Sequence, residues 1–382
     1  MPSFRWLPIL AILITSVSCR KNETSDSPEA FPVKSESFGQ TTSGKEIKTF
    51  TLENPNGMVA EVMEYGATLR SLLIPDRDGK LANVTLGFES LADWENQKGY
   101  YGSTIGRYGN RIEGGKFSMD GKTYQLAINS TPGGFPTHLH GGPEGFHKKI
   151  WKGEPISKNQ ARGVKFTRVS PDGEEGYPGE VEATVTYWLT DDNELIWEAT
   201  GTTSDPTPLN LIHHSLWNLS GDPTSSVLDH ELQVIADKFL PTTTGLIPTG
   251  ELAPIVGTPM DFSFLTPLAQ ASDTDFEPLK ISGGLNHTFV LDDNPGVRLA
   301  ARLRDPKSGR VMEVHTNQPG LHLHLDSGPP NSTTDTKDTS QAGITFESGT
   351  FPNALNEPEF PISITLPDET YRHTLVHKFY AK

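Results

Sequence analysis

Cysteine is nearly absent: the single thiol in 382 residues is Cys19, so no disulfide can form within one chain. Basic residues are also scarce. Thirty-two Lys and Arg stand against 48 Asp and Glu, a formal net charge of -16. That balance disfavours nucleic-acid phosphates, whose recognition calls for Lys and Arg clusters, and suits a neutral ligand. Long apolar runs are missing as well. The longest begins near the amino terminus, Leu7 to Ile14, too short for a comfortable membrane span. No segment holds a 3.6-residue apolar period beyond about three turns, which leaves little room for long helices.

Glycine (36) and proline (30) are plentiful and dispersed rather than periodic, the composition of many short strands joined by turns. Glu46 to Lys80 reads as strand, Asn-Gly turn, strand and Asp-Gly turn. Val181 to Leu189 alternates and is rich in β-branched residues; Glu194 to Thr200 follows an Asp-Asp-Asn turn. Val297 to Leu303 and Arg310 to Thr316 flank a Lys-Ser-Gly turn and predict a hairpin. Two more strands are expected in the final stretch, and a short helix at Leu91 to Asn96. Strands without a break in composition predict one large antiparallel β-sandwich over residues 35–382. Asn331 to Ser340 reads as a mobile loop.

Residues 1–19, MPSFRWLPILAILITSVSC, have the build of a secretory signal: Arg5, an apolar stretch, then small residues. Ending on a lone cysteine, they resemble a bacterial lipoprotein signal with Cys19 as the lipidated residue, although Ser16 stands where such signals usually have Leu. Cleavage and secretion without lipid is the alternative. Polar residues 20–34 would form a flexible tether. The expected location is outside the inner membrane, periplasmic or lipid-anchored, with the membrane touched only through Cys19.

Six groups of residues could carry chemistry. His213 and His214 sit side by side in LNLIHHSLWNLSG; a strand sends them to opposite faces, so one can face a cleft. GRYGNRIEGG offers Asn110 and Arg111 between glycines. THLHGG holds His138 and His140, two apart and on one face if extended. DGEEGYPG (Asp172 to Gly179) is turn-rich and acidic, and most such loops are merely solvated. Glu347 follows an apolar run and precedes a glycine, a place where a carboxylate can be tuned as a base. Asp261, alone in the apolar GTPMDF, is a similar case.

These segments, in this order, resemble the aldose 1-epimerase (galactose mutarotase) family from about Phe38 to Phe379. The matching blocks are Tyr65 to Gly79, Gly106 to Asn129, Leu139 to Trp151, DGEEGYPG and FESGTFPNALNEPEFP. The resemblance implies a mutarotase-like supersandwich, no metal and no cofactor. It implies a reaction that interconverts the α and β anomers of a free aldohexose such as glucose or galactose. One histidine protonates the ring oxygen and one glutamate takes the anomeric hydroxyl proton. The family's Asn-His-Ser-Tyr-Phe-Asn-Leu block places the histidine at His214, and its Leu-Glu-Thr-Gln block places the glutamate at Glu347. Sugar-binding positions fall on Asn110, Arg111, His140 and Asp261. His213, Leu216, Trp217 and His322 depart from the usual family residues, His322 standing where relatives often carry Gln.

Two rivals remain at this stage. A zinc hydrolase would use the His138/His140 and His322/His324 pairs, but no HExxH or cysteine cluster supports it. A non-catalytic sugar-binding lipoprotein would keep the pocket and lose the chemistry.

Overall fold

The computed structural model describes residues 32–272, 275–292, 294–328 and 341–382. The signal segment, most of the tether and the expected loop at Asn331 to Ser340 lie outside them. The last tether residues do not hang free: Val33 packs against the core and a strand begins at Lys34.

Glu46–Glu53, Val59–Met63 and Thr68–Pro75 form a meander, with Lys34–Gln40 and Leu81–Asn83 at its edges. The largest sheet has nine strands among the described residues. At its centre lie the Val181–Thr190/Glu194–Thr203 hairpin and the carboxy-terminal strand Tyr371–Ala381. The expected second hairpin is present as Arg298–Arg304 and Arg310–Thr316. A six-stranded antiparallel sheet contains Asn286–Leu291, Gly320–Asp326 and Gly343–Gly349.

Alternation along the strands explains why these sheets stack. Phe50 and Leu52 from the first sheet, Val164 and Val185 from the second, and Phe289, Leu321 and Ile344 from the third all belong to one buried apolar cluster. Each fully buried side chain of this size is worth roughly 1.5–3 kcal/mol relative to exposure. The result is the expected antiparallel β-sandwich.

Helices are short. Leu91–Asn96 is capped by Ser90, whose hydroxyl accepts from Asp93 N. A second, Glu277–Ser282, was not anticipated; Pro278 near its start and left-handed Gly283 at its end are the signals that mark it.

The strand Gly343–Gly349 is buried along its whole length. Ile344 and Phe346 point into the shared core, so Thr345 and Glu347 occupy the other face. Ser348, on the core face, meets His373 of the nine-stranded sheet at 2.7 Å (Oγ to Nε2). The two-sheet stack thus holds the strand rigidly and presents one carboxylate to its opposite side.

Candidate active site

Glu347 lies under a cavity of about 170 Å³. Its floor is the six-stranded sheet, and its rim is built from the segments around Tyr100, Asn110 and His140. His322 is the cross-strand partner of Glu347. His324 and Asp326 follow on the same face of that strand, and Asn286 pairs opposite His324.

His214 ends the strand Ile212–His214, which pairs with Ser103–Ile105. The strand separates the two adjacent histidines. His213 points into the core, against Tyr187, Trp197 and His377, with Nε2 3.0 Å from Ser215 Oγ. His214 points into the cavity, where its Nε2 is 3.3 Å from Glu347 Oε1.

The electrostatics separate them further. Burial pushes His213 well below the ordinary imidazole value, with His377 and His214 adding to the effect. Burial acts on His214 in the same direction, but the facing Glu347 carboxylate outweighs it and the pKa is raised. Burial would raise Glu347, yet the charge on His214 and its hydrogen bond hold the carboxyl well below the usual range. The resting pair is therefore imidazolium and carboxylate: a charged donor touching a charged acceptor. Glu347 Oε1 also accepts from Thr345 Oγ1 at 3.2 Å. Its Oε2 is buried without a hydrogen-bond partner among the described residues. An unpaired carboxylate oxygen is costly in such surroundings, and a ligand hydroxyl would satisfy it.

Left-handed backbone shapes the rim. Tyr100, Asn110 and His140 all have positive φ (59°, 63° and 52°), uncommon for residues with side chains and concentrated here at one cavity. Each turn is held. Asn110 N donates to His140 Nδ1 at 3.1 Å, and His140 N donates to Asn110 O at 3.0 Å. Because Nδ1 accepts, neutral His140 carries its proton on Nε2. Burial keeps it neutral, its pKa well below 6.5. The Tyr100 ring covers this corner, with centroids 4.7 Å from His140, 4.7 Å from His147 and 5.9 Å from His214. Gly141 lies so close to Gly106 that an added Cβ would sit 1.9 Å from its carbonyl oxygen.

The site corrects several expectations. Asp261 does not reach the cavity. Its carboxylate turns back on its own loop and accepts from Ser263 Oγ at 2.6 Å and Ser263 N at 3.2 Å. The polar places along the floor are instead taken by Asn286 and Asp326, neither singled out from sequence. The alternation of HLHLD, which puts His322, His324 and Asp326 on one face, was the available signal for Asp326. Nor do His138 and His140 share a face: the left-handed turn at His140 separates them. His138 packs on Tyr177 with Nδ1 2.7 Å from Ala127 O. His322 already uses both ring nitrogens, on Thr288 Oγ1 (2.9 Å) and Asn286 Oδ1 (2.8 Å). The two His-x-His pairs therefore do not form one ligand set. The donor atoms that do converge belong to His140, His214 and Glu347.

Of the four departures from the family pattern, only His322 lines the cavity. Leu216 packs in an apolar cluster, and Trp217 lies against His377 and Phe379. Within GRYGNRIEGG the two arginines divide their work. Arg111 lines the cavity, whereas Arg107 is buried and donates to Ser170 Oγ and to the carbonyls of Ser170, Pro171 and Pro178. The acidic DGEEGYPG loop is thereby anchored at Pro178, while Asp172 and Gly173 stay exposed to solvent.

The sequence profile of the family described as Aldose 1-epimerase matches residues 48–378. The chain belongs to the aldose 1-epimerase family. It is an isomerase that interconverts sugar anomers. It is 38% identical over 341 residues to galactose mutarotase of Sus scrofa, covering 88% of this chain and 95% of the pig protein. Aldose 1-epimerase of Escherichia coli K12 is 34% identical over 345 residues, covering 89% of this chain and 97% of that protein. The crystal structure of galactose 1-epimerase from Lactobacillus acidophilus superposes with a TM-score of 0.79 at 29% identity, covering 92% of this chain and 99% of that one.

Proposed function

We propose that this aldose 1-epimerase acts on free aldohexoses of the glucose and galactose class, with His214 as acid and Glu347 as base. The reading is carried by the 3.3 Å contact between His214 Nε2 and Glu347 Oε1 and by the opposite displacement of their pKa values.

The sugar enters with its ring oxygen toward His214 and its anomeric hydroxyl toward Glu347. Glu347 takes the hydroxyl proton as the bond from C1 to the ring oxygen breaks and C1 becomes a carbonyl. His214 protonates the departing ring oxygen. Rotation about C1–C2 presents the other carbonyl face, and the reverse transfers close the ring as the other anomer. Each positioned acid or base typically contributes ~10²–10⁴-fold. Arg111, Asn110 and the Nε2–H of His140 supply donors for sugar oxygens, and Asn286, His324 and Asp326 line the far side. His322 holds Asn286 in place.

Polarimetry on freshly dissolved α-glucose and α-galactose tests this. Wild-type protein should speed anomer exchange well above buffer, and His214→Ala and Glu347→Gln should each lose ~10²-fold or more. Rates at the buffer level would favour a sugar-binding protein without chemistry. Unchanged activity in both variants would refute the residue assignments.

The composition of residues 1–34 supports export, with the mature chain held to a membrane through lipid on Cys19 or released. There the enzyme would equilibrate sugars freed outside the cytoplasm before uptake. Cell fractionation decides, with Cys19→Ala moving an anchored protein to the soluble envelope fraction. Recovery in the cytosol alone would overturn the proposal.

A further inference from the structure

Thr288 does not line the catalytic cavity, yet two hydrogen bonds in series connect it to the floor. It lies in Asn286–Leu291, two residues after Asn286 and so on the same face. His322 is its cross-strand partner and sits diagonally to Asn286. Thr288 Oγ1 is 2.9 Å from His322 Nδ1, and His322 Nε2 is 2.8 Å from Asn286 Oδ1. Thr288 is 3% exposed and His322 8%, so little water competes for these bonds.

Such a series can run in two directions. Burial pushes His322 down to about 3, so at neutral pH the ring is uncharged, one nitrogen donating and the other accepting. In the first direction the Thr288 hydroxyl donates to Nδ1 and Nε2–H donates to Asn286 Oδ1, and every group is used. In the second, Nδ1–H donates to Thr288 Oγ1 and Nε2 accepts from a reversed Asn286 amide. That arrangement strands the Thr288 hydroxyl proton, which has no other acceptor among the described residues. A buried donor left unpaired is costly, so the first direction holds. Asn286 Oδ1 is then taken. Its Nδ2, without a partner among the described residues, is the group that Asn286 offers the cavity it lines.

We propose that Thr288 and His322 are positioning residues that fix the Asn286 amide as a donor, so that the site selects sugars with an oxygen placed to accept there. The nature of the ligand rests on the anomer-exchange reading of the cavity. The far side then carries two groups of opposite polarity: Asn286 Nδ2, which can only donate, and the Asp326 carboxylate, which can only accept. His322→Gln would lose this commitment, since an amide can turn end for end and serve Asn286 either way round.

Two measurements on the whole protein test this. The first needs no sugar: nitrogen NMR of the imidazoles at neutral pH reports which nitrogen of His322 carries the proton. Wild type and Thr288→Ser should hold the Nε2–H form, and Thr288→Val should admit the Nδ1–H form. The second is polarimetry on glucose, and on glucoses in which each hydroxyl beyond C2 is replaced by hydrogen or by fluorine, which accepts weakly but never donates. Thr288→Val should raise KM for glucose about threefold or more with kcat within about twofold, and Thr288→Ser should restore it. At one position the fluoro sugar should exceed the deoxy sugar in kcat/KM by about threefold or more. That preference should vanish in Asn286→Asp, which keeps the bond from His322 but offers no donor. If Thr288→Val does not fold, Asn286→Asp and the wild-type tautomer carry the test alone. A wild-type His322 with its proton on Nδ1 would overturn the proposal. So would a Thr288→Val protein with unchanged tautomer and KM, or the lack of any fluorine preference that Asn286→Asp abolishes. Wild-type protein that leaves glucose at the buffer rate would instead overturn the anomer-exchange reading, on which the tautomer measurement does not depend.

Discussion

His214 is the buried histidine whose neighbours raise its pKa, and that single difference makes a testable pH profile. Activity requires Glu347 ionised and His214 protonated. The first condition fails as pH drops through the depressed carboxyl value, the second as pH rises through the elevated imidazole value. A bell with its alkaline limb above pH ~6.5, the ordinary histidine value, is therefore expected for kcat/KM. The two limbs belong to the coupled pair rather than to either residue alone. Glu347→Gln separates the causes. With the carboxylate gone, burial is opposed only by a backbone hydrogen bond and the charge on Asp326. The His214 imidazole signal followed by NMR should then titrate below pH ~6.5 rather than above it. A His214 pKa that stays elevated in this variant would show that another group holds it there.

At the scale of elements, the acid and the base arrive on different strands, and one side chain ties those strands together. His373, on Tyr371–Ala381, has Nδ1 2.9 Å from Leu211 O and Nε2 2.7 Å from Ser348 Oγ. Leu211 lies three residues before His214, and Ser348 adjoins Glu347. His373→Phe would leave the buried Ser348 hydroxyl unpaired, at a cost of about 1–3 kcal/mol, and the Leu211 carbonyl with only the long 3.4 Å contact from Tyr371 Oη. Urea unfolding should show that loss, and kcat should fall because the strands carrying acid and base are no longer fixed to one another. A lower urea midpoint with unchanged kcat would show that the tie serves stability alone. The rim has its own point of failure. Gly141→Ala combines a positive φ of 78° with a Cβ only 1.9 Å from Gly106 O. It should weaken sugar binding as well as lower the melting temperature, since the same turn orients His140. How far the sequence could be read follows the same division. Strands announced themselves through alternation, and the two hairpins through their turn residues. Strand geometry sends His213 and His214 to opposite faces, but the choice of His214 and Glu347 comes from the resemblance to the family's blocks. Tyr100 is not singled out by the sequence at all, and His140 only as a binding position, without its orientation: both depend on left-handed turns that contacts distant in the chain impose. Asp261 misled for the same reason, as a loop carboxylate finds its nearest donor, here Ser263, before any distant pocket.

For the whole molecule, the other buried histidines are a liability in acid. His138, His230, His287 and His373 are pushed down to about 4, and His147, His322 and His377 to about 3. His140 and His213 are also well below 6.5. Below pH ~6.5 the unfolded chain binds protons that the folded chain refuses, so stability falls as pH falls. The loss approaches ~1.4 kcal/mol per pH unit for each such histidine until its folded pKa is reached. Melting temperature should therefore drop steeply between pH 6 and 4, as scanning calorimetry would record. His377 is the sharpest single case: neither ring nitrogen has a hydrogen-bond partner among the described residues, and its ring lies against Trp217. His377→Phe keeps a ring there and should flatten the acid slope. An unchanged slope would place the acid sensitivity in the other histidines.

The contact between His214 and Glu347 has a last consequence, for how the enzyme resets. Ring opening moves one proton onto Glu347 and one off His214; ring closure returns both. The resting imidazolium–carboxylate arrangement is thus restored by the substrate itself, without recharging from water. Catalysis of this kind is indifferent to direction. The pair speeds α to β and β to α alike, and the final anomer ratio remains a property of the sugar.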